Sequence, residues 1–401
     1  MCRERWKRAK LSKYVPGQAS DFYFFCRNGE IDRVHQVLDA ENAPPIEQLN
    51  ELQPNGSTAL HVATFYGHRD IVKLLLDRNC PRTELNHFGN TAYEEAQSSE
   101  MRQLFERANS TDHEIFQHAL NQQTTAMWLQ FYNWFTHTFR VFVERNEFHI
   151  DQFDLLKHGD FQQLLKSNLS DPVRYQRIMQ LADEARRRNS IVPLIELYTD
   201  EIAGFYRFCN QQLTRSTNDA AKSPHLCDRF ILEFYIRHHE LRQRSFIGTV
   251  YRGATLSEND LTVYKHAMSS DPPGVLGLKA FTSTSIDPLV ALRFANNNPS
   301  TDGHKNVLFV FEIQKVTSTI FGIEDISQFI QEREVLILPS NLFIVTNIQE
   351  HLDIHITKIY LRHWHVPVRF WTKMKQTLHA GRKSVIGDTA HLRQKKINLS
   401  V

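Results

Sequence analysis

Gln331-Glu332-Arg333-Glu334-Val335-Leu336-Ile337-Leu338 sets two carboxylates two residues apart at the head of an apolar, β-branched run. In an extended segment residues i and i+2 share a face, so Glu332 and Glu334 are expected to point together and Arg333 away. Two convergent carboxylates at the mouth of a strand suggest chemistry. The texture around them is that of a sheet: Thr249 to Arg252, Val307 to Ile313, Glu334 to Leu338, Leu342 to Val345 and His355 to Leu361 are short β-rich runs separated by turn residues. Upstream the patterns are helical. Trp128, Phe131, Tyr132, Phe135, Phe139 and Phe142 recur at spacings of three and four, the aromatic face of an amphipathic helix, which reads as core or interdomain packing. Helical patterns continue through Leu155 to Leu165, Tyr175 to Ala185 and Leu194 to Leu213, with Arg186 to Ser190 as an interhelix loop. They break at Asn218 to Pro224 and resume from Phe230 to Leu241. Helices first and sheet afterwards reads as α+β.

Two more stretches of the sheet half carry reactive side chains. Tyr251-Arg252-Gly253 puts a guanidinium at a strand end, followed by a glycine that lets a backbone approach closely; taken alone, the arginine reads as a surface residue. Phe281-Thr282-Ser283-Thr284-Ser285 alternates hydroxyls just before a helix starting near Pro288 with Leu289, Leu292 and Phe294, and in isolation those hydroxyls read as helix caps.

Internal similarity appears early in the chain. Gly56-Ser57-Thr58-Ala59-Leu60-His61-Val62-Ala63 leads into Gly67-His68-Arg69-Asp70-Ile71-Val72-Lys73-Leu74-Leu75-Leu76, and 33 residues after Gly56 stands Gly89-Asn90-Thr91-Ala92-Tyr93-Glu94-Glu95-Ala96. That period with a T-x-L-H-x-A core resembles an ankyrin repeat. Gly56 and Gly89 suit the turn before a short helix, Ala59 and Ala63 allow close packing, and Leu74, Leu75 and Leu76 supply a buried face. Phe22 to Glu30, with Val34, Val37 and Leu38, matches a helix-turn-helix half and reads as a capping unit. Roughly three units is about the minimum for a stable array. The resemblance implies a protein partner on its concave face; packing on the neighbouring domain is the alternative.

Composition bounds the rest. With 401 residues, two or three domains are expected, and 41% hydrophobic, 23% charged and 27 phenylalanines describe a globular chain with ample core. A net charge of +2 gives no electrostatic reason to expect nucleic acid. Residues 366 to 401 are the exception, with eight Lys and Arg against the single acid Asp388, and read as a solvated or weakly adhesive tail. The start, Met1 to Arg8, is basic without an apolar stretch behind it, and no window of 18 apolar residues occurs; the expectation is a soluble, cytoplasmic protein with no membrane partner. Cys2, Cys26, Cys80, Cys209 and Cys227 are odd in number and free of C-x-x-C, which favours reduced structural thiols. Arg237-His238-His239-Glu240 lacks the spacing of a zinc motif and His363-x-His365 has no third ligand, so no metal is expected. There is no phosphate loop, dinucleotide fingerprint or G-x-S-x-G elbow.

In this order an arginine strand, a Ser-Thr-Ser strand and a Glu-x-Glu strand resemble the Arg-Ser-Glu constellation of mono-ADP-ribosyltransferases, specifically the arginine-directed branch. Leu197-Tyr198-Thr199 leading into Phe205 to Leu213 looks like that family's helical lobe, and Gly322 to Phe329 resembles the loop that presents the target. The resemblance implies NAD as co-substrate without a metal. Arg252 is implied to bind the NAD phosphates, and Ser283, supported by Thr284 and Ser285, to hold the catalytic carboxylate. Glu334 is implied to bind the ribose 2′-hydroxyl and stabilise the cation formed as nicotinamide leaves. Glu332 is implied to orient the incoming arginine of a protein substrate and take its proton, where relatives that modify other side chains carry Gln. Gly253 and Phe294 are implied to complete the pocket, with core packing as the alternative for Phe294. The expected architecture is α+β: a basic segment at 1 to 18, α-helical ankyrin repeats at 19 to 108, a helical linker at 109 to 160, a catalytic domain of helical lobe plus mixed sheet at 161 to 364, and a basic tail at 365 to 401. The implied activity is transfer of ADP-ribose from NAD to protein arginine. An NAD glycohydrolase using the same site and an inactive ankyrin scaffold are the alternatives.

Overall fold

The computed structural model describes residues 18–106, 129–131, 171–296 apart from 202, 216–225 and 272, 304–364 apart from 352–354, and a few positions between 162 and 169. The first part is a stack of short helix pairs: α1 (Asp21–Asn28) with α2 (Ile31–Leu38), α3 (Ile46–Leu49), α4 (Ala59–Phe65) with α5 (Arg69–Asp77), and α6 (Ala92–Glu95) with α7 (Ser99–Gln103). Hydroxyl caps start them. Ser20, Thr58, Thr91 and Ser98 each accept a hydrogen bond from the backbone N–H three residues on, which satisfies donors that the first helical turn leaves open. Gly56 and Gly89 sit at φ of +80° and +78°, a backbone conformation that side chains with a Cβ resist. Cys26, Val34, Ala63, Val72, Leu75 and Phe105 form the continuous core between the units.

His61 ties two units together from inside that core. Its Nε2 lies 2.9 Å from the Asn90 carbonyl oxygen and its Nδ1 2.8 Å from Thr58 Oγ1. A carbonyl only accepts, so Nε2 carries the hydrogen and Nδ1 accepts from the threonine hydroxyl. Burial, the dominant influence, holds this imidazole below its ordinary value of 6.5. The folded array therefore binds the proton less readily than the unfolded chain, and its stability is fully present above about pH 6.5 and lost as pH falls below it. Amide protection factors across α4, taken relative to the intrinsic exchange rate at each pH, are expected to fall between pH 7 and pH 5 in the wild type, and much less so in His61→Gln.

The thiols Cys26, Cys80, Cys209 and Cys227 are buried and form no disulfide among the described residues, and burial pushes Cys26 up to about 12 and Cys80 well above its usual range. Cys2 lies outside the described residues. No helix among the described residues is long and apolar enough to cross a membrane.

The second part opens with a helical lobe: α8 (Pro172–Arg188), α9 (Val192–Thr199), α10 (Phe205–Arg215), α11 (Leu226–Ile236) and α12 (His238–Leu241). Two sequence expectations are corrected here. Arg186, Arg187 and Arg188 belong to the last turn of α8 rather than to a loop, because they pair with Asp183 and Glu184 one turn back and the chain turns out only at Asn189, at φ +47°. The helix expected over Leu194 to Leu213 is two helices, split where Asp200 pairs with Arg177 at 2.9 Å, accepts from the Ala203 N–H at 2.9 Å, and Gly204 turns left-handed.

A mixed sheet follows, built among the described residues from β1 (Leu129–Phe131), β2 (Gly248–Ser257), β3 (Val275–Leu278), β4 (Thr282–Ser285), β5 (His304–Ile313), β6 (Ile320–Gly322), β7 (Glu334–Ile337), β8 (Leu342–His351) and β9 (Ile356–His363). Their order is β1-β3-β8-β9-β5-β2-β4-β7-β6, and only β5 and β9 run parallel. Phe131 therefore stands in a strand opposite Leu276, not on the expected helix. Trp128, Tyr132, Phe135, Phe139 and Phe142, most of the expected 109 to 160 linker and the 365 to 401 tail lie outside the described residues. β2 pairs with β5 over ten residues but with β4 only at Tyr251 opposite Ser285, so the sheet divides there into a large and a small part.

Helix α13 (Glu258–Ser269) packs beside β8, and α14 (Pro288–Asn296) crosses β2. That crossing rests on Gly253. A Cβ there would stand 1.9 Å from the Ala291 carbonyl oxygen and 2.6 Å from the Ala295 nitrogen, so the close backbone approach read from this glycine is made by α14 itself. Gly253→Ala forces helix and strand apart and is expected to cost at least about 1–3 kcal/mol, read as a lowered midpoint of thermal unfolding.

Candidate active site

Four segments meet at the narrow joint of the sheet. Arg252 follows Tyr251 in β2, and its side chain is 5% exposed. Its Nη1 donates to the Ser283 carbonyl oxygen at 2.9 Å, across the one place where β2 and β4 barely pair. Burial pulls the guanidinium down to about 10 while Tyr198 and Glu334 act in the opposite direction. Through this bond Arg252 braces β4.

The hydroxyls of β4 divide their work. Thr284 Oγ1 donates to the Val335 carbonyl oxygen at 2.6 Å and locks β4 to β7. Ser285 Oγ donates to the Glu332 carbonyl oxygen at 2.6 Å and accepts from the Asp287 N–H at 2.9 Å. Asp287 Oδ1 in turn accepts from the Leu289 N–H at 2.8 Å, so the capping expected of the Ser-Thr run falls to Asp287, with Ser285 seating it. Ser283 is fully buried beside the Tyr198 hydroxyl, and its Oγ makes no hydrogen bond of good geometry among the described residues.

The carboxylate pair departs from the extended geometry expected for it. Ile330–Glu332 forms a single 3₁₀ turn, with the Glu332 N–H donating to Phe329 O at 3.0 Å, and Arg333 is left-handed at φ +45°. Only Glu334 lies in a strand, opposite Ser285. The chain turns here because the Arg333 carbonyl is drawn to the Ile286 N–H at 3.3 Å while the Glu332 carbonyl is held by Ser285. Both acids are buried, Glu332 at 4% and Glu334 at 0% exposure, and both stand next to β4.

Ser327 was not singled out from the sequence as a site residue. Its Oγ donates to Glu334 Oε2 at 3.1 Å, the contact expected of Ser283. It sits in an irregular segment without periodicity, so no pattern marked it. Glu334 Oε1 is buried without a hydrogen-bond partner among the described residues. Tyr198 from α9 closes the site from the helical lobe. Burial pushes its phenol up; Asn210 donates to its hydroxyl at 3.2 Å, and Ser283, Arg252 and Glu334 are its electrostatic neighbours. Phe294 belongs to the core cluster around Tyr198, Phe281 and Leu336, the packing alternative left open for it.

Among the described residues no group of His, Cys, Asp and Glu is arranged to hold a metal ion. Arg237 pairs with Glu233 at 3.2 Å and Glu240 at 3.5 Å, and buried His363 lies 3.1 Å from Asn341 Oδ1, while His365 is outside the described residues.

Residues 22–107 match the family model for ankyrin repeats, in three copies. No curated protein matches the chain. Among solved structures the chain is similar to Vis toxin, an ADP-ribosyltransferase from Vibrio Splendidus, at 25% identity over 52% of this chain and 82% of that one, with a TM-score of 0.34. It is also similar to the ADP-ribosyltransferase HopU1 of Pseudomonas syringae pv. Tomato DC3000, at 20% identity over 40% and 65% with a TM-score of 0.32. The type III effector XopAI from Xanthomonas axonopodis pv. citri gives 16% identity over 59% and 95% with a TM-score of 0.37.

Ser285 holds both the Glu332 turn and the start of α14. Ser285→Ala removes two hydrogen bonds, the one to Glu332 buried, and is expected to cost about 1–3 kcal/mol, measured by denaturant unfolding.

Proposed function

We propose that the chain transfers ADP-ribose from NAD to arginine side chains of proteins. The observation that carries this reading is the seating of two buried carboxylates on either side of one left-handed residue, Glu334 in β7 and Glu332 in the turn before it, both against the Ser-Thr-Ser strand braced by Arg252. Glu334 Oε1 and Ser283 Oγ are buried polar atoms with hydrogen-bonding capacity to spare, and a ribose hydroxyl beside them supplies a donor for the carboxylate and a partner for the serine.

In the reaction the bond between the ribose carbon and the pyridinium nitrogen breaks, and nicotinamide departs with the electron pair. Positive charge develops on the sugar. Glu334, kept in place by Ser327, stabilises that charge from a low-dielectric site where a fixed carboxylate acts strongly. A guanidinium is protonated at neutral pH and a poor nucleophile. Glu332 accepts its proton as the guanidine nitrogen bonds to the ribose carbon, which balances the step as arginine and NAD giving ADP-ribosyl-arginine, nicotinamide and a proton.

The test is incubation of the full chain with labelled NAD and a small guanidino compound, separating adduct from free ADP-ribose. The wild type is expected to give adduct. Glu332→Gln keeps NAD cleavage and loses transfer by about a hundredfold or more, whereas Glu334→Gln loses both. Nicotinamide release with no adduct in the wild type would reduce the chain to an NAD glycohydrolase, and equal behaviour of the two variants would defeat the division of labour.

A further inference from the structure

The ankyrin array meets the transferase half at several points, among them Glu47 with Arg177 of the helical lobe at 3.7 Å, and it makes a cluster of contacts with one short stretch. Gln331 Nε2 donates to the Phe105 carbonyl oxygen at 2.8 Å, and Gln328 Nε2 to Asn79 Oδ1 at 3.3 Å. Between them the Arg82 guanidinium lies 4.7 Å from the centroid of the Phe329 ring, and its Nη1 donates to the same Phe105 carbonyl at 3.2 Å. Arg293 of α14 pairs with Glu106 at 3.2 Å at the rim. Three of these contacts fall on Gln328, Phe329 and Gln331, which bring the chain into the turn that ends at Glu332.

The two carboxylates differ in what secures them. Glu334 lies in a paired strand, its carbonyl accepts from Ile323 N–H at 3.0 Å, and its partner Ser327 is held by the Ile323 carbonyl at 2.8 Å, all within the sheet half. The Glu332 turn is secured by Ser285 from one side and by the array from the other.

We propose that the last ankyrin unit is an acceptor-positioning element of the transferase, with Arg82 and the Phe105 carbonyl fixing the Phe329–Gln331 stretch and through it the aim of Glu332. The proposal rests on the assignment of Glu332 to the acceptor made above. Arg82 and Gln331 are positioning residues that touch no reacting atom. The array thereby helps determine which step proceeds, since a loosened turn leaves Glu334 seated and Glu332 misdirected.

The experiment measures, for the full chain, guanidine adduct formation and acceptor-free NAD cleavage in Arg82→Ala, Gln331→Ala and the double variant. Phe88→Ala, on an array side chain 72% exposed, serves as the control. Arg82 lies in a connecting loop of the array, so folding is checked by the melting midpoint. Each single variant is expected to lower the ratio of transfer to cleavage about five- to thirtyfold, mainly through a raised KM for the guanidino acceptor with KM for NAD unmoved. The double variant should lose little more than either single one, because both act through the Phe105 carbonyl. Phe88→Ala should match the wild type, and Arg82→Lys, which keeps the cation over Phe329, should recover part of the ratio. An unchanged ratio in both single variants, with the wild type active, overturns the proposal and leaves the transferase reading standing. A parallel fall of transfer and cleavage would also overturn it, since that marks a merely structural seam. A wild type that cleaves NAD without forming adduct overturns both readings.

Discussion

At the seam between β2 and β4 the sheet is held by a single residue pair, Tyr251 with Ser285, and by the side chain of Arg252 reaching to the Ser283 carbonyl. A guanidinium is costly to bury unless its donors are met and an opposite charge stands near. Here both conditions depend on the site: the acceptor is the backbone of the Ser-Thr-Ser strand and the nearby acid is Glu334. The charge that would weaken an ordinary core therefore fixes where β4 lies, and β4 fixes both carboxylates.

From that strand the architecture extends in two directions. Toward β7, Thr284 and Ser285 spend their hydroxyls on the main-chain carbonyls of Val335 and Glu332, which holds the chain that carries the two acids. Toward the helical lobe, Tyr198 brings an apolar ring and one polar tip to the same point, with the Phe281 ring tilted against it at 4.8 Å and Asn210 on its hydroxyl. Removing water from this junction strengthens every charge in it. The ankyrin array reaches the turn before Glu332, where Gln331 donates to the Phe105 carbonyl.

Much of this was legible because it is written in local pattern. The 33-residue period, the Thr-x-Leu-His core and the glycines at positive φ identify the repeats without reference to anything distant. The β-branched runs marked β5, β7 and β9 for the same reason. What escaped depends on long-range pairing. The Leu194 to Leu213 pattern concealed a break made by Arg177, more than twenty residues away in the chain. Phe131 has helical spacing from its neighbours, yet Leu276 draws it into a strand. Gly253 marks a close approach in the sequence itself, but only the folded chain shows that α14 makes it. Ser327 had no periodic signal, because its position comes from Ile323 and the turn around it.

Arg333 has a consequence for how such a site can change over evolutionary time. On a straight strand two acids at i and i+2 share one pleat, and any shift that re-aims one re-aims the other. The left-handed residue between Glu332 and Glu334 breaks that linkage: β7 owns one acid and the turn owns the other. Residues 328 to 331 can change in sequence and re-aim the acid in the turn while the other stays in the ladder. Under the proposed function, acceptor preference and bond cleavage become separate heritable traits, divided by one residue.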